Sequence, residues 1–217
     1  MLIRYFNTKL KNTIPFRYNF FTFYFLINIF YSCNEYKKTN STTQKVIIIT
    51  PFIDFNKIKA EQTVKYIRQF NSNVYLGKVV NFPKASYVKS RNRYRADSLI
   101  RYLKKLHAGD TITVGLTDFD ISVSKNNIPD WGVMGLGFRP GKSCVISSFR
   151  LKKSKQNEQF QKVVLHEIGH TFGLDHCKTK SCLMRDAEGG NPLDEEIDFC
   201  KACTQYLAKN GFKKQNF

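Results

Sequence analysis

The sequence predicts an α/β fold: a compact single domain with a mixed, largely parallel sheet flanked by helices. Three observations predict it. β-branched runs alternate with amphipathic segments in strand-helix-strand-helix-strand order. Two later apolar runs flank Arg139-Pro140-Gly141-Lys142, a turn-forming sequence that adds an antiparallel edge. With 217 residues, 42% hydrophobic and 14% aromatic, the chain can fill one core and is too short for two comparable domains.

The elements follow in order. Residues 45–50 (KVIIIT) form a β-branched run stopped by Pro51, as a buried strand would be. Residues 56–70 set Ile58, Val64, Ile67 and Phe70 near one face of a helix. Residues 73–80 make a second strand, closed by Pro83. A second amphipathic helix spans 91–107, with Leu99, Leu103 and Leu106 inward and Gly109 at its end. A third strand spans 111–116, and segments 131–138 and 143–149 pair as a hairpin. The last two helices are 157–171 and 201–210. There is no internal repeat and no low-complexity tract.

The amino terminus stands apart from this pattern. Residues 1–17 carry Arg4, Lys9, Lys11 and Arg17 without an acid, and 18–34 carry no charge. The apolar heart, 20–31, is shorter than the roughly 20 residues of a spanning helix, which fits a secretory signal. It ends in Ser32-Cys33, which resembles the lipobox of bacterial lipoproteins, although Phe30 stands where leucine is usual. The expected organisation is a lipoprotein-type signal peptide at 1–32, a polar tether at 33–44 beginning with an acylated Cys33, and a folded domain at 45–217. An uncleaved signal anchor is the alternative.

Lys+Arg 35 against Asp+Glu 17 gives a formal charge of +18. Removing residues 1–32 takes four basic and no acidic residues, so the domain keeps +14. Basic residues cluster at Lys89, Arg91, Arg93, Arg95, Arg101, Lys104 and Lys105 and again at 150–155. Neither cluster has the interleaved aromatics or recognisable module of a nucleic-acid groove, so both are expected to be solvated faces and no specific nucleic acid is expected.

Three of the four histidines fall in His166-Glu167-Ile168-Gly169-His170-Thr171-Phe172-Gly173-Leu174-Asp175-His176. Positions four apart on a helix differ by roughly 40°, so His166 and His170 can share one metal ion. Six residues further is about 240° of rotation, so His176 can join only if the helix ends between them. Gly173 is where a left-handed turn costs least. Three imidazoles leave a fourth position for water, the catalytic pattern of zinc, and Glu167 is placed to take a proton from that water. His107 is expected at a helix end, interacting with the dipole.

Cysteines follow at Cys177, Cys182, Cys200 and Cys203, two short pairs separated by a loop, which is a four-thiolate zinc spacing. Disulfides are the alternative for an exported chain. Cys144 lies outside the set and is expected to be a buried free thiol in a strand.

The pattern HExxHxxGxxHC, followed by CxM and a distal CxxC, resembles the archaemetzincin family of zinc metallopeptidases. The resemblance extends from residue 46 to the carboxyl end, and it implies a metzincin-like active-site helix. It further implies His166, His170 and His176 on a catalytic zinc, Glu167 as general base and Met184 as the Met-turn methionine. Cys177, Cys182, Cys200 and Cys203 would hold a structural zinc, making two zinc ions per chain. Between Met184 and Cys200 stand 15 residues, slightly fewer than the family usually has.

The expected function is therefore a zinc-dependent metallopeptidase, monomeric and anchored to a membrane through Cys33 on the extracytoplasmic side. Its partner is a peptide or protein substrate, and the edge strand within 131–138 is the candidate for holding it in extended form. A non-catalytic zinc-stabilised binding module and a zinc hydrolase of a non-peptide amide or ester are the alternatives. Glu167 favours an enzyme, because binding alone has no use for a base there.

Overall fold

The computed structural model describes residues 44–215, so the signal peptide, Cys33 and all of the tether but Gln44 lie outside the described residues. Five strands form the main sheet: β1 (Ile47–Pro51), β2 (Val74–Leu76), β5 (Ile112–Thr117), β8 (Gly135–Gly137) and β9 (Ser143–Ser147), in the order β2-β1-β5-β9-β8. The first four in that order pair in parallel, and β8 closes the edge antiparallel to β9. The isoleucine run of β1 is buried because strands pair on both its sides. β5, between β1 and β9, is buried at all six positions.

Alternating residues of β9 separate two cores. Cys144 and Ile146 join one with α1 (Lys57–Ile67) and α3 (Gln156–Thr171), whereas Val145 joins the other with α2 (Ala96–Leu103). The mixed, largely parallel sheet flanked by helices is the predicted architecture, and Cys144 is the predicted fully buried thiol. The last helix, α4 (Lys201–Lys209), packs Leu207 into the first core. Among the described residues, no helix is long and apolar enough to cross a membrane.

Several elements differ from expectation. In α1, capped by Asn56 Oδ1 accepting from Ile58 N at 2.8 Å, the buried face is Ala60, Thr63, Val64 and Ile67. Ile58 is 63% exposed, because nine residues from Ile67 is about half a turn of rotation away. The second strand is only three residues long, and Val80 returns as an isolated bridge to Phe52. Pro51 ends β1 as a member of the strand, its carbonyl accepting from Val80 N at 3.0 Å.

The second helix begins at Ala96, not Arg91, because Arg93–Arg95 is a strand, β4. It belongs to a second sheet that the sequence reading missed, with β3 (Tyr87–Val88), β6 (Ile121–Lys125) and β7 (Ile128–Val133) in the order β3-β4-β6-β7. Arg93 pairs with Asp120 at 3.1 Å and Asp130 at 3.4 Å, and Arg95 pairs with Asp97 at 3.2 Å. These two arginines are thus ion-paired and largely covered, not part of a solvated face. The predicted hairpin also divides: Trp131 to Val133 pairs with β6, and only Gly135–Gly137 pairs with β9. His107 lies beyond the end of α2, its Nδ1 3.0 Å from Thr113 Oγ1.

Candidate active site

α3 presents His166 and His170 one turn apart, with Nε2 atoms 3.0 Å from each other. The helix then stops by a Schellman turn: Leu174 N donates to Gly169 O at 3.0 Å and Gly173 N to His170 O at 2.9 Å. Gly173 has φ +104°, the left-handed conformation expected of it. The chain reverses there, bringing the His176 ring centroid to 4.9 Å from that of His170 and 5.5 Å from that of His166.

Each imidazole has its outer nitrogen engaged. His166 Nδ1 lies 2.6 Å from Leu183 O, His170 Nδ1 lies 2.8 Å from Leu174 O, and His176 Nδ1 lies 3.3 Å from Asp186 Oδ2. A carbonyl oxygen only accepts, so Nδ1 of His166 and of His170 carries the hydrogen and each Nε2 of the neutral ring keeps a lone pair. Two lone pairs converging at 3.0 Å fit a shared cation. Burial, and then the neighbouring His170, hold His166 down to about 3, which keeps it neutral as a ligand must be. The three donor atoms lie within 4.8 Å of one another, and the set fits zinc in type and number.

Glu167 fills the gap between α3 and β8. A Cβ built on Gly135 would stand 2.5 Å from its Oε1, and one on Gly137 would stand 3.2 Å from its Oε2. The residue is 6% exposed, Oε2 has no hydrogen-bond partner among the described residues, and burial pushes the carboxyl up to about 8. Glu167 and the three histidines line a cavity of about 670 Å³, bounded on one side by the edge strand β8.

Met184 is fully buried against α3, where a Cβ on Gly169 would meet its Sδ at 2.5 Å. Its carbonyl accepts from Cys177 N at 2.7 Å, which ties the methionine to the cysteine cluster. There Cys177 and Cys200 have Sγ atoms 3.7 Å apart, and Cys182 and Cys203 have theirs 3.8 Å apart. Disulfide sulfurs lie at about 2.05 Å, whereas thiolates at about 2.3 Å from a common tetrahedral centre lie about 3.8 Å from one another. These two separations suit a tetrahedral zinc set and are too long for disulfides, and all four sulfurs lie within 4.8 Å of one another. The backbone N–H of Cys203 foremost draws the Cys200 thiol down to about 7, which favours the thiolate a metal needs.

A family model described as Peptidase family M54 matches residues 52–209, well over half of the chain. The chain belongs to peptidase family M54. It is accordingly a zinc-dependent peptidase, a hydrolase. An archaemetzincin from Nanoarchaeum equitans is 30% identical over 161 residues, which span 74% of this chain and 89% of that protein. One from Methanopyrus kandleri is 32% identical over 146 residues, spanning 63% and 81%. The crystal structure of the Methanopyrus kandleri protein superposes with a TM-score of 0.65 at 25% identity, covering 76% of this chain and 95% of that one. That of the Archaeoglobus fulgidus archaemetzincin, a malonate complex, gives 0.60 at 26%, covering 74% and 99%. The archaemetzincin-like fold holds for the single mixed α/β domain, with the histidine helix within it.

Within this M54 domain the three sequence-predicted histidines meet Glu167 on one cavity, the four cysteines form a second cluster, and Met184 packs against Gly169 of α3. Cys144 stays apart from the cysteine set, and Cys33 lies outside the described residues. The sequence reading missed the carbonyls of Leu174 and Leu183, Asp186 beside His176, and Glu196 on the cavity wall. A carboxylate two residues after CxM was the visible hint of Asp186.

Proposed function

We propose that the chain cleaves peptide bonds with one zinc ion held by His166, His170 and His176, and carries a second held by Cys177, Cys182, Cys200 and Cys203. The pair of neutral imidazoles with convergent Nε2 lone pairs is the observation that carries the reading. When bound, the catalytic zinc supplies a Lewis acid that polarises the substrate carbonyl and makes water acidic enough to attack near neutral pH.

The chain's own groups do the rest. Glu167, enclosed by β8 and without a partner on Oε2 among the described residues, would be drawn back to its ionised form by a cation on the histidines, so that it accepts the proton of the attacking water and returns it to the departing amine. Leu183 O, Leu174 O and Asp186 hold the three rings with Nε2 inward. β8 is the outermost strand of its sheet among the described residues, so its edge can add an extended peptide as a further strand and lay the scissile bond across the cavity. Met184 supports the floor from below. A buried base with a free oxygen favours hydrolysis over mere peptide binding. Glu167→Gln tests this: it keeps both zinc ions and loses most hydrolysis of a peptide library, and equal turnover by variant and wild type would refute the role.

The basic start, the short apolar run and Ser32-Cys33 support an extracytoplasmic protein whose mature chain begins with a lipid-modified Cys33. The folded domain, 45–217, would then stand off the bilayer on a short polar tether as a monomer. Cys33→Ser should release it from the membrane fraction. An intact mass that includes residues 1–32 would contradict the anchor.

A further inference from the structure

The cavity does not end at the histidines. It continues along α3 toward the amino end, where Val163 lies one turn before His166 on the same stripe. Pro192, Leu193 and Glu196, from the segment that leads to Cys200, line the same cavity. Val163, Pro192 and Leu193 make this arm apolar, and Glu196 is its acid.

Glu196 is 3% exposed, and its Oε2 has no hydrogen-bond partner among the described residues. The neighbouring cations are engaged elsewhere. Lys162 Nζ donates to Leu193 O at 2.7 Å and to the backbone oxygen of Glu196 at 2.8 Å, and it pairs with Glu158 at 2.7 Å. Arg185 pairs with Glu195 at 2.7 Å. Burial pushes the Glu196 carboxyl up to about 7, while Lys162 and Arg185 draw it down. An unpaired buried carboxyl is costly, and Lys162 and Arg185, both engaged elsewhere, offset that cost only in part. A cation delivered by a ligand would offset the rest.

We propose that Glu196 is the acidic end of a specificity pocket beside the catalytic centre, and that it selects peptides carrying arginine or lysine next to the scissile bond. The proposal rests on the peptidase reading. The long aliphatic stem of such a side chain lies against Val163 and Leu193 while its charged head meets the carboxylate in a charge-assisted hydrogen bond. An acidic side chain in the same arm would meet a like charge. Asp186, also on the cavity wall, is spent on His176.

The experiment uses the full-length, zinc-loaded protein and quenched peptides in which each position flanking the cleaved bond holds arginine, citrulline or glutamate in turn. Citrulline keeps the shape of arginine and removes its charge. At one flanking position kcat/KM should be about ten- to hundredfold higher for arginine than for citrulline, the span of a charge-assisted hydrogen bond. Glu196→Gln should bring that ratio toward one, as should Glu196→Leu, with thermal melting to show which variants fold. No arginine preference at any position, or a preference unchanged in a folded variant, overturns the proposal. Binding of the same peptides to Glu167→Gln measures selectivity without turnover. Tighter arginine binding that depends on Glu196, alongside no cleavage of any peptide by wild type, would sink the cleavage reading and uphold the pocket. Equal binding of arginine and citrulline peptides would sink the pocket.

Discussion

Gly135 is the space that Glu167 occupies: a Cβ built on the glycine would stand 2.5 Å from Oε1 and 2.6 Å from Cγ of the glutamate. β8 thus does two jobs, offering a free edge and leaving a gap in its own side-chain row for the general base. Gly135→Ala should push the carboxyl out of place without touching a metal donor. Misplacement on the ångström scale lowers kcat by about a hundredfold. Elemental analysis of the purified variant should still return the wild-type zinc content, and full activity would show that the carboxyl has another place to sit.

Asp186 meets His176 Nδ1 at 3.3 Å, whereas the other two histidines use backbone carbonyls. This is the one orienting group of the three that a substitution can remove. Asp186→Asn should weaken the catalytic zinc about ten- to hundredfold and leave the cysteine site unchanged. Competition with a chromogenic chelator, which resolves the two sites by affinity, checks it.

How far the sequence discloses the molecule depends on the range of the forces involved. His166, His170 and Gly173 are legible because four residues of helix and one left-handed turn fix their geometry locally. The second sheet is not, because β4 is Arg-Tyr-Arg and becomes a strand only through Asp120 and Asp130, which lie far away in sequence. One signal for it was local: Asn126-Asn127 joins two runs, and Asn126 takes φ +52° at the turn between β6 and β7. Ile58 shows the reverse failure, an apolar residue assigned to the core by type when its helical angle faces solvent. Glu196 could not be read at all, since only the packing of the chain before Cys200 buries it against α3.

Met184 and Gly169 couple the floor of the site to α3. A Cβ at Gly169 would meet Met184 Sδ at 2.5 Å and Cε at 3.3 Å inside a fully buried contact. Gly169→Ala should cost about 1–3 kcal/mol by overpacking and Met184→Ala about 2–5 kcal/mol by leaving a cavity. The methyl added by one change occupies room vacated by the other, so the double variant should be less destabilised than the two single losses combined. Additive losses in denaturant melts would mean that the two residues do not share that space.

The cysteine cluster should behave as a structural unit. Cys200→Ser removes one of four sulfurs that lie within 4.8 Å of one another, so it should cost one zinc per chain and a large fall in Tm, because ligand binding there is folding energy. Activity should fall only as the domain unfolds. Retention of two zinc ions by the variant would show that the fourth thiolate is dispensable.

Glu196 also sets a pH dependence of stability, whose sign follows from burial. An unfolded glutamate ionises near pH 4.5, and in the fold burial moves that ionisation up to about 7. Between the two values the native state holds a proton that the unfolded state has released, so stability falls as pH rises through this window and levels off above it. Below about pH 4.5 both states are protonated and Glu196 adds no pH dependence. Glu196→Gln cannot ionise, so its stability relative to wild type should grow from pH 4.5 to 7 and then stay constant. The gain should reach on the order of 2 kcal/mol, allowing for partial relaxation around the carboxylate. Urea melts of both proteins across this range, compared at each pH, read the difference directly. Parallel stability profiles for the two would mean that the Glu196 carboxylate finds compensation in the fold at neutral pH.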